Sequence, residues 1–295
     1  MPAPESHALT IDLWTFDIGA AADSPEAFAA ACIDRAADSW TGGADLVLFP
    51  EYLWAGLGRF PDAAKREHPV RTAARLFWED IWPALLERHY RHFSGKAAVL
   101  GTAPFFEPES RRLRNRSPIL LSGGRAAFQD KICLTPWEKS FAGGESLKIH
   151  EFLGWRFAVL VCLDIEIPEL AVQLREQAVD LLLVPSATES ILGCERIARC
   201  ASARAVELGC YVAVAHLTGG DPALDLIDEN LGRTAFFAPS QAPFLETERE
   251  ARGKIHRDGF HRTRVVADPA ALAAMRADRV ETNPARLRPT VSDRD

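Results

Sequence analysis

A cysteine stands at the point where the apolar run in residues 157–169 turns polar. The five apolar residues before it are bounded like a buried strand, and the pattern after it is helical. A thiol at such a turn would lie near free backbone N–H groups, whose partial positive charge favours the thiolate and can hold an oxyanion. Cys162 is therefore a candidate nucleophile, although a lone cysteine at a strand end is more often an inert core residue.

Two further segments place charged side chains directly after strand-like runs. Glu51 follows the apolar residues 45–50, and Lys131 precedes a proline-containing turn that leads to Glu138. Taken singly, each of these residues is explained as a solvated loop or surface residue. Taken together with Cys162, they suit nucleophilic attack on a carbonyl or nitrile carbon, because a carboxylate can accept the thiol proton and an ammonium can stabilise the resulting anion. This chemistry requires neither a metal nor an organic cofactor.

The elements that must position these residues alternate between strands and helices. Strands are predicted at residues 9–14, 45–50, 97–102, two within 116–134, 155–161, 180–185, 210–217, 234–238, 243–245 and 263–266. Helices are predicted at residues 24–39, 70–93 with a kink or a split at Pro83, 167–177, 194–208 and 268–277. The opening strand, helix and strand imply parallel pairing. This order predicts an α/β fold in which mixed sheets pack together and helices cover their outer faces.

The chain is expected to form one domain. Its 295 residues can bury a substantial core, and they show no repeat of fixed period and no Gly-, Ser- or Pro-rich linker between two cores. We therefore predict a single domain over residues 1–277. Residues 278–295 are polar, carry two prolines and lack a core pattern, which predicts a tail that is disordered or borrowed by a partner subunit.

Composition indicates an ordinary globular protein of mildly acidic character. Hydrophobic residues make up 47% of the chain and charged residues 25%, and the formal net charge is −7. This balance gives no electrostatic reason to expect nucleic acid or an anionic membrane as a partner. The one compact basic cluster, residues 111–116, is more simply explained as a solvated hairpin tip than as a phosphate or partner site.

The remaining signals concern location and metals. The N-terminal residues lack a basic stretch followed by an apolar one, and no apolar run has the length of a membrane span, so we expect a cytoplasmic location. The six cysteines form no CxxC pair and are expected to be reduced. His89 and His92 lie on a predicted charged helix face, which favours a solvated surface over a metal site.

The order of the charged and nucleophilic segments resembles a known family. The resemblance rests on Phe49-Pro50-Glu51, on Lys131 with Leu134-Thr135-Pro136 and Glu138, and on Cys162 with Asp164 and Pro168-Glu169. These segments are similar to the glutamate, lysine and cysteine signatures of the nitrilase superfamily of carbon–nitrogen hydrolases. Further similarity at residues 199–212 and 232–239 extends the resemblance over residues 9–239.

The resemblance implies a four-layer α-β-β-α sandwich that forms a homodimer or larger homo-oligomer and hydrolyses a non-peptide C–N bond of a small-molecule amide or nitrile. In the implied mechanism, Glu51 is the general base and Cys162 attacks the substrate to form a thioester. Lys131 and the backbone N–H of Leu163 stabilise the tetrahedral intermediate, and water activated by Glu51 then releases a carboxylic acid. Glu138 is similar to the family's second glutamate, which helps to position lysine and substrate.

The expected substrate pocket contains two tryptophans and a loop after a predicted strand. Trp54 and Trp137 favour an apolar or aromatic acyl group if they line the pocket, and an ordinary core position is the alternative for both. The loop contributes Ala187 and Thr188.

Three positions depart from the family pattern and leave the substrate open. Leu163, Glu166 and Leu208 stand where the family often has an aromatic residue, an arginine and an asparagine. The sequence favours a small amide or N-carbamoyl compound, while a nitrile would pass through the same thioester. A non-catalytic binding or regulatory protein with this fold is the alternative of another class. That alternative predicts loss of at least one catalytic position, and all of them are present.

Overall fold

Two seven-stranded sheets form the centre of the structure, a computed structural model that describes residues 7–61 and 67–277. The strands of the first sheet are β1 (Leu9–Trp14), β3 (Leu46–Phe49), β4 (Ala97–Leu100), β5 (Ala103–Phe106), β6 (Leu113–Leu121), β7 (Arg125–Asp130) and β14 (Arg262–Ala267). The strands of the second sheet are β2 (Phe16–Asp17), β8 (Ile149–Phe152), β9 (Trp155–Val159), β10 (Leu181–Ser186), β11 (Tyr211–Thr218), β12 (Ala235–Phe237) and β13 (Glu250–Arg252).

Both sheets have parallel strands at their centre and antiparallel strands around them. The first sheet has the order β14-β1-β3-β4-β6-β5, and β7 also pairs with β6. Within it, β1, β3 and β4 run parallel, with Leu48 opposite both Leu13 and Val99. The second sheet has the order β13-β12-β11-β10-β9-β8, with β2 also paired to β11, and here β9, β10 and β11 run parallel. The parallel pairing expected from the opening strand, helix and strand is confirmed.

Helices pack on the outer face of each sheet. They are α1 (Pro25–Thr41), α2 (Pro69–Arg75), α3 (Trp82–Phe93), α4 (Pro168–Leu174), α5 (Ile191–Leu208) and α6 (Pro269–Ala277). The first three lie with the first sheet, and the last three lie with the second. The result is the four-layer α-β-β-α sandwich that the resemblance implied.

The side chains of β3 show how the layers are held together. All four residues of this central strand are buried. Leu46 and Leu48 belong to the hydrophobic cluster that joins the two sheets, whereas Val47 and Phe49 pack with α1 in a second cluster. Because successive side chains of a strand point to opposite faces, a strand buried on both faces must be apolar throughout. The short apolar run in the sequence therefore places β3 in the middle of the sandwich.

Two predicted elements differ in the structure. The helix predicted at residues 70–93 is divided by a π-helical segment, Leu76–Ile81, which separates α2 from α3. Pro83 lies in the first turn of α3, directly after this π-helical segment, and supplies no N–H to the preceding turn. The strand predicted at residues 243–245 is wrong, because Ala242–Phe244 form a short 3-10 helix with proline in its first turn.

Two predictions about the surface are only partly correct. His92 is exposed, as predicted. His89 is buried beside the ring of Trp40, and its Nε2 lies 3.0 Å from the carbonyl oxygen of Lys96. Within the basic cluster, Arg114 is buried and its Nε donates to the Glu107 carboxylate at 2.8 Å. Only part of that cluster is therefore solvated.

The described residues bear on two other expectations. All six cysteines carry free thiols. In residues 7–61 and 67–277, no helix combines the length and the apolar character that a bilayer crossing requires. The polar tail predicted at residues 278–295 lies outside the described residues, and the domain boundary at residue 277 stays a prediction.

Candidate active site

The predicted catalytic residues converge beyond the ends of four strands. Glu51 comes two residues after β3, Lys131 directly after β7, Cys162 three residues after β9, and Ala187 directly after β10. All four residues line one cavity. The turns that follow the strands therefore bring together side chains that lie far apart in the sequence.

The ammonium of Lys131 lies between two buried carboxylates. Its Nζ is 2.8 Å from Oε1 of Glu51 and 2.8 Å from Oε2 of Glu138. Burial alone lowers the pKa of a lysine, but Glu51, Cys162 and Glu138 act in the opposite direction and raise the pKa of Lys131 above its usual value. The site therefore holds a permanent positive charge at the position predicted from the sequence.

Glu138 is surrounded by donors. Its Oε2 accepts bonds from Lys131 and from both the N–H and the hydroxyl of Thr135, at 2.8, 2.7 and 3.0 Å. Its Oε1 accepts a bond from the Tyr52 hydroxyl and one from Asn115 Nδ2 at 3.4 Å. Burial would raise the pKa of Glu138, but Lys131 and the other donors outweigh burial and lower the pKa. Glu138 is therefore a permanent anion.

Glu51 has fewer donors and a different ionisation. Its Oε1 accepts bonds from Lys131 at 2.8 Å and Asn115 at 2.9 Å, and its Oε2 accepts the N–H of Ala187 at 3.2 Å. The Cys162 thiol is close enough for the two groups to influence each other's pKa. Burial raises the pKa of Glu51 to about 7, and Lys131 only partly offsets this effect. A carboxyl group with this pKa can exchange protons near neutral pH, as a general base must.

Cys162 begins a five-residue 3-10 helix, Cys162–Glu166, and its φ is 50°. Left-handed backbone is uncommon for residues other than glycine. The Sγ atom lies 3.5 Å from the carbonyl oxygen of Ala187. Burial and the neighbouring Glu51 carboxylate raise the pKa of Cys162 well above its usual value. These two effects outweigh any stabilisation of the thiolate by the helix terminus, so the thiol needs a base to remove its proton.

Asp164 connects the lysine segment to the cysteine turn. Its carboxylate accepts the N–H groups of Ile132 at 3.3 Å, Cys133 at 2.7 Å and Val161 at 3.1 Å. Burial nevertheless raises the pKa of Asp164 to about 6. Because one side chain holds both segments, Lys131 and Cys162 are fixed relative to each other.

The cavity has a volume of about 480 Å³, within the range of small-molecule sites. Four of the five predicted substrate-binding residues line it, namely Trp137, Leu163, Ala187 and Thr188. Trp137 lies at the rim with 77% of its surface exposed. Glu166 also lines the cavity and pairs with Arg196 at 3.1 Å. The outer part of the cavity is therefore polar, while Trp137 offers an aromatic surface at its edge.

Trp54, the fifth predicted residue, lies in the core. It belongs to the 3-10 helix Leu53–Arg59 and is fully buried. Its ring packs against Phe77 at a centroid distance of 4.5 Å, and its Nε1 donates to the carbonyl oxygen of Leu100 at 2.7 Å. This buried hydrogen bond satisfies the indole N–H away from the cavity, so the assignment of Trp54 to the pocket is corrected.

The sequence interpretation missed two residues that contact the catalytic carboxylates. Tyr52 follows Glu51 in left-handed conformation, with φ of 59°, and its hydroxyl donates to Glu138. Asn115 lies in β6 and donates to both Glu51 and Glu138. The signal for Tyr52 was its place beside Glu51. Asn115 had no comparable signal, because its pairing partner Lys131 is reached only through the hairpin.

In the described part of the chain, no three or more histidine, cysteine, aspartate or glutamate side chains are grouped so that they could hold a metal ion.

Comparison with known proteins identifies the family. The model of the carbon-nitrogen hydrolase family matches residues 23–253. The chain belongs to the carbon–nitrogen hydrolase family. The match contains Glu51, Lys131, Glu138 and Cys162, so the resemblance proposed from the sequence is confirmed.

Two curated relatives of this carbon–nitrogen hydrolase family member match part of the chain. Probable hydrolase YhcX of Bacillus subtilis strain 168 is 25% identical over 215 residues, which are 72% of this chain and 40% of that protein. The Pseudomonas protegens protein named hydrolase in pqqF 5'region is 38% identical over 79 residues, 26% of this chain and 27% of that protein. The matched segments thus span less than half the length of either relative.

Solved structures resemble the fold over nearly the whole chain. A cysteine-to-alanine variant of the Nesterenkonia AN1 amidase, from the nitrilase superfamily, is 22% identical and superimposes with a TM-score of 0.65, covering 94% of this chain and 98% of that one. Nit3 of Saccharomyces cerevisiae, from branch 10 of the nitrilase superfamily, is 17% identical with a TM-score of 0.67, covering 95% and 97%. These likenesses show the fold.

Proposed function

We propose that this protein hydrolyses a non-peptide C–N bond of a small amide or N-carbamoyl compound through a thioester on Cys162. The observation that carries the proposal is the convergence of Glu51, Lys131 and Cys162 at the wall of one cavity, where Oε1 of Glu51 and Nζ of Lys131 are 2.8 Å apart. A base of pKa about 7 beside a protonated thiol and a fixed ammonium has the composition that acyl transfer to sulfur requires. Membership in the carbon–nitrogen hydrolase family supports the reaction class.

The first half of the reaction forms the thioester. Glu51 accepts the thiol proton as Sγ of Cys162 bonds to the substrate carbonyl carbon, and the carbonyl electrons move onto oxygen. The ammonium of Lys131 and the backbone N–H of Leu163, a cavity-lining residue, stabilise this oxyanion. The C–N bond then breaks, the proton held by Glu51 passes to the leaving nitrogen, and ammonia or an amine departs.

The second half releases the acid. Glu51, ionised again, accepts a proton from water as the water oxygen attacks the thioester carbon. The C–S bond breaks, the proton on Glu51 returns to sulfur, and a carboxylic acid leaves. Each step uses the same carboxyl group in alternating states. This use requires a pKa near neutrality rather than the ordinary carboxyl value.

Ammonia release from a panel of short aliphatic and aromatic amides, N-carbamoyl amino acids and nitriles tests the proposal. We expect release from amides or carbamoyl compounds and none by Cys162→Ala. The matched control is Cys32→Ala, which removes a fully buried thiol in α1 and should retain turnover. An intact-mass increase equal to the acyl group, lost in Cys162→Ala, identifies the thioester.

Three outcomes separate the alternatives. If only nitriles are turned over, the protein is a nitrilase and the amide assignment is wrong. Substantial turnover by Cys162→Ala contradicts the nucleophile assignment. Absence of turnover and of any adduct, with Cys162 unreactive toward iodoacetamide, supports a non-catalytic protein with this fold.

A further inference from the structure

The side-chain amide of Asn115 lies between the two catalytic carboxylates. Its Nδ2 is 2.9 Å from Oε1 of Glu51 and 3.4 Å from Oε1 of Glu138. Asn115 is 1% exposed and lies in β6, a strand with partners on both sides. A rigid strand therefore holds one neutral donor against two anions.

The orientation of this amide follows from its surroundings. Both neighbours of Nδ2 are carboxylate oxygens, and an amide turned by 180° would bring Oδ1 against them. The Oδ1 atom is buried and has no hydrogen-bond partner among the described residues. A buried acceptor is left unpaired at some cost in stability. The orientation of the amide is therefore explained by Nδ2, which donates to the two carboxylates.

The donor leaves the two oxygens of Glu51 in different situations. Oε1 accepts from both Asn115 and Lys131, whereas the nitrogen donor to Oε2 is the N–H of Ala187 at 3.2 Å. Ala187 also places its carbonyl oxygen 3.5 Å from Sγ of Cys162. Ala187 thus contacts both Oε2 of Glu51 and the thiol of Cys162, while two hydrogen bonds hold Oε1 in place.

We propose that Asn115 is a positioning residue that fixes the Glu51 carboxylate, with Oε2 directed toward Cys162 and the ionised form favoured. This inference rests on the proposed function and adds to it a residue that touches neither the thiol nor the substrate cavity. The backbone of Asn115 has a separate task, because its carbonyl oxygen accepts the N–H of Lys131 at 2.9 Å. Side-chain substitutions leave that bond in place and test the amide alone.

Two substitutions test the proposal. Asn115→Leu preserves volume and removes the donor, and Asn115→Asp preserves shape and replaces the donor by a third acid. In Asn115→Leu, the ionised Glu51 carboxylate loses one hydrogen bond, which raises its pKa. The acid limb of the pH profile, the range in which the rate rises with pH, should therefore move to higher pH by about one unit. In Asn115→Asp the shift should be larger, because the added carboxylate repels the ionised form of Glu51.

The readout is the rate of Cys162 alkylation by iodoacetamide as a function of pH, followed by mass spectrometry of the Cys162 peptide. It needs no substrate, so it separates failure of this inference from failure of the proposed hydrolase activity. Alkylation requires the thiol and Glu51 together to have lost one proton, so its acid limb reports that shared ionisation. The pH profile of kcat/KM on an active amide should move by the same amount.

Gln129→Leu is the matched control. Gln129 is a buried amide in the neighbouring strand β7. Among the described residues, its side chain bonds only to backbone groups, those of Asp130, Ser146 and Lys148. This control should lose stability and keep the acid limb of the wild-type protein. A purely structural role for Asn115 predicts the same behaviour for Asn115→Leu.

Acid limbs within about 0.3 pH units of wild type in both Asn115 variants would overturn the inference, whatever happens to the rate. An upward shift in both, absent from Gln129→Leu, would establish it. If Asn115→Leu does not fold, the near-isosteric Asn115→Asp decides by the same criterion.

Discussion

Glu51 and Glu138 share the ammonium of Lys131 but receive unequal numbers of hydrogen bonds. Within residues 7–61 and 67–277, Glu138 accepts five bonds, whereas Glu51 accepts three from nitrogen donors. The pKa of Glu138 is accordingly lowered, and that of Glu51 is raised to about 7. This difference supports separate tasks for two chemically identical groups in the proposed mechanism, in which Glu138 holds the lysine in place and Glu51 carries the proton.

The pH profile of the wild-type protein should show this division. We expect kcat/KM to rise tenfold per pH unit below pH about 7 and to level off above it, because the ionised form of Glu51 is the active one. The raised pKa values of Cys162 and Lys131 predict no decline from these groups until well into the alkaline range. Initial rates at low substrate concentration, with Cys162→Ala as the background at each pH, provide the measurement. A profile flat from pH 5 to 8 would contradict the assignment of Glu51.

Glu51→Gln should stabilise the fold while removing activity. The pKa of Glu51 is raised by burial to about 7 in the folded protein, so the folded state binds the proton more tightly than the unfolded chain. The wild-type protein therefore loses stability as pH rises from the ordinary carboxyl pKa through about 7, by roughly 2 to 3 kcal/mol. The variant avoids this loss.

Urea denaturation at pH 5.5 and pH 8 measures the effect. The gain in free energy of unfolding should be larger at pH 8. Glu189→Gln, which changes an exposed glutamate, serves as the control and should show no such difference. An equal gain at the two pH values would mean that Glu51 does not titrate in this range.

Tyr52→Phe should lower kcat about three- to tenfold, because one of the bonds that hold Glu138 is lost while the ring remains. Tyr211→Phe is the matched control: it removes a buried hydroxyl that bonds to the backbone of Asp268, away from the cavity. We expect that variant to be less stable and fully active per folded molecule. Steady-state kinetics and thermal denaturation of both proteins distinguish the two roles. Equal kinetic effects would remove Tyr52 from the site.

The two tryptophans should behave in opposite ways. Trp137→Ala should raise KM about tenfold and leave the free energy of unfolding within about 0.5 kcal/mol, because the ring lies exposed at the cavity rim. Trp54→Ala should lower that free energy by about 3 to 5 kcal/mol, since it empties a buried site, and leave KM unchanged for the folded protein. Kinetics and denaturation of each variant provide the test. An unchanged KM in Trp137→Ala would show that the rim does not contact the substrate.

Within the predicted catalytic set, Glu51 and Cys162 were the easiest to find, because each follows an apolar run bounded like a buried strand. Lys131 follows the partly exposed strand β7, so it was singled out only together with the other segments. The ends of such strands meet at one place in a sandwich, and Glu51 and Cys162 do so. The fate of Trp54 was not predictable, since residue type alone cannot tell which side of a short 3-10 helix faces the cavity. Asn115 was missed for a related reason: its partners are set by strand pairing, which a local pattern does not contain.

The fold was predicted best where the strands are central and apolar. Strand β5 was missed because it lies at an edge and contains Pro104, which counts against a strand in any local pattern. Strands β8 and β13 were missed because they are short and carry charged residues. The ionisation of Cys162 was misjudged because the sequence shows the helix after it but not the buried carboxylate beside it.

The left-handed backbone at Tyr52 and Cys162 concerns anyone who engineers this protein. Such conformations cost on the order of 1 to 3 kcal/mol each for residues with a side chain, and glycine adopts them freely. At Tyr52, glycine would also empty the buried site of the ring, which costs more than this strain. A library selected only for heat resistance would accordingly be enriched in glycine at Cys162 and in neutral replacements of Glu51. The library members with the highest thermal stability would therefore lack catalytic activity. Screens for variants of this protein should therefore select for catalytic turnover and thermal stability in the same round.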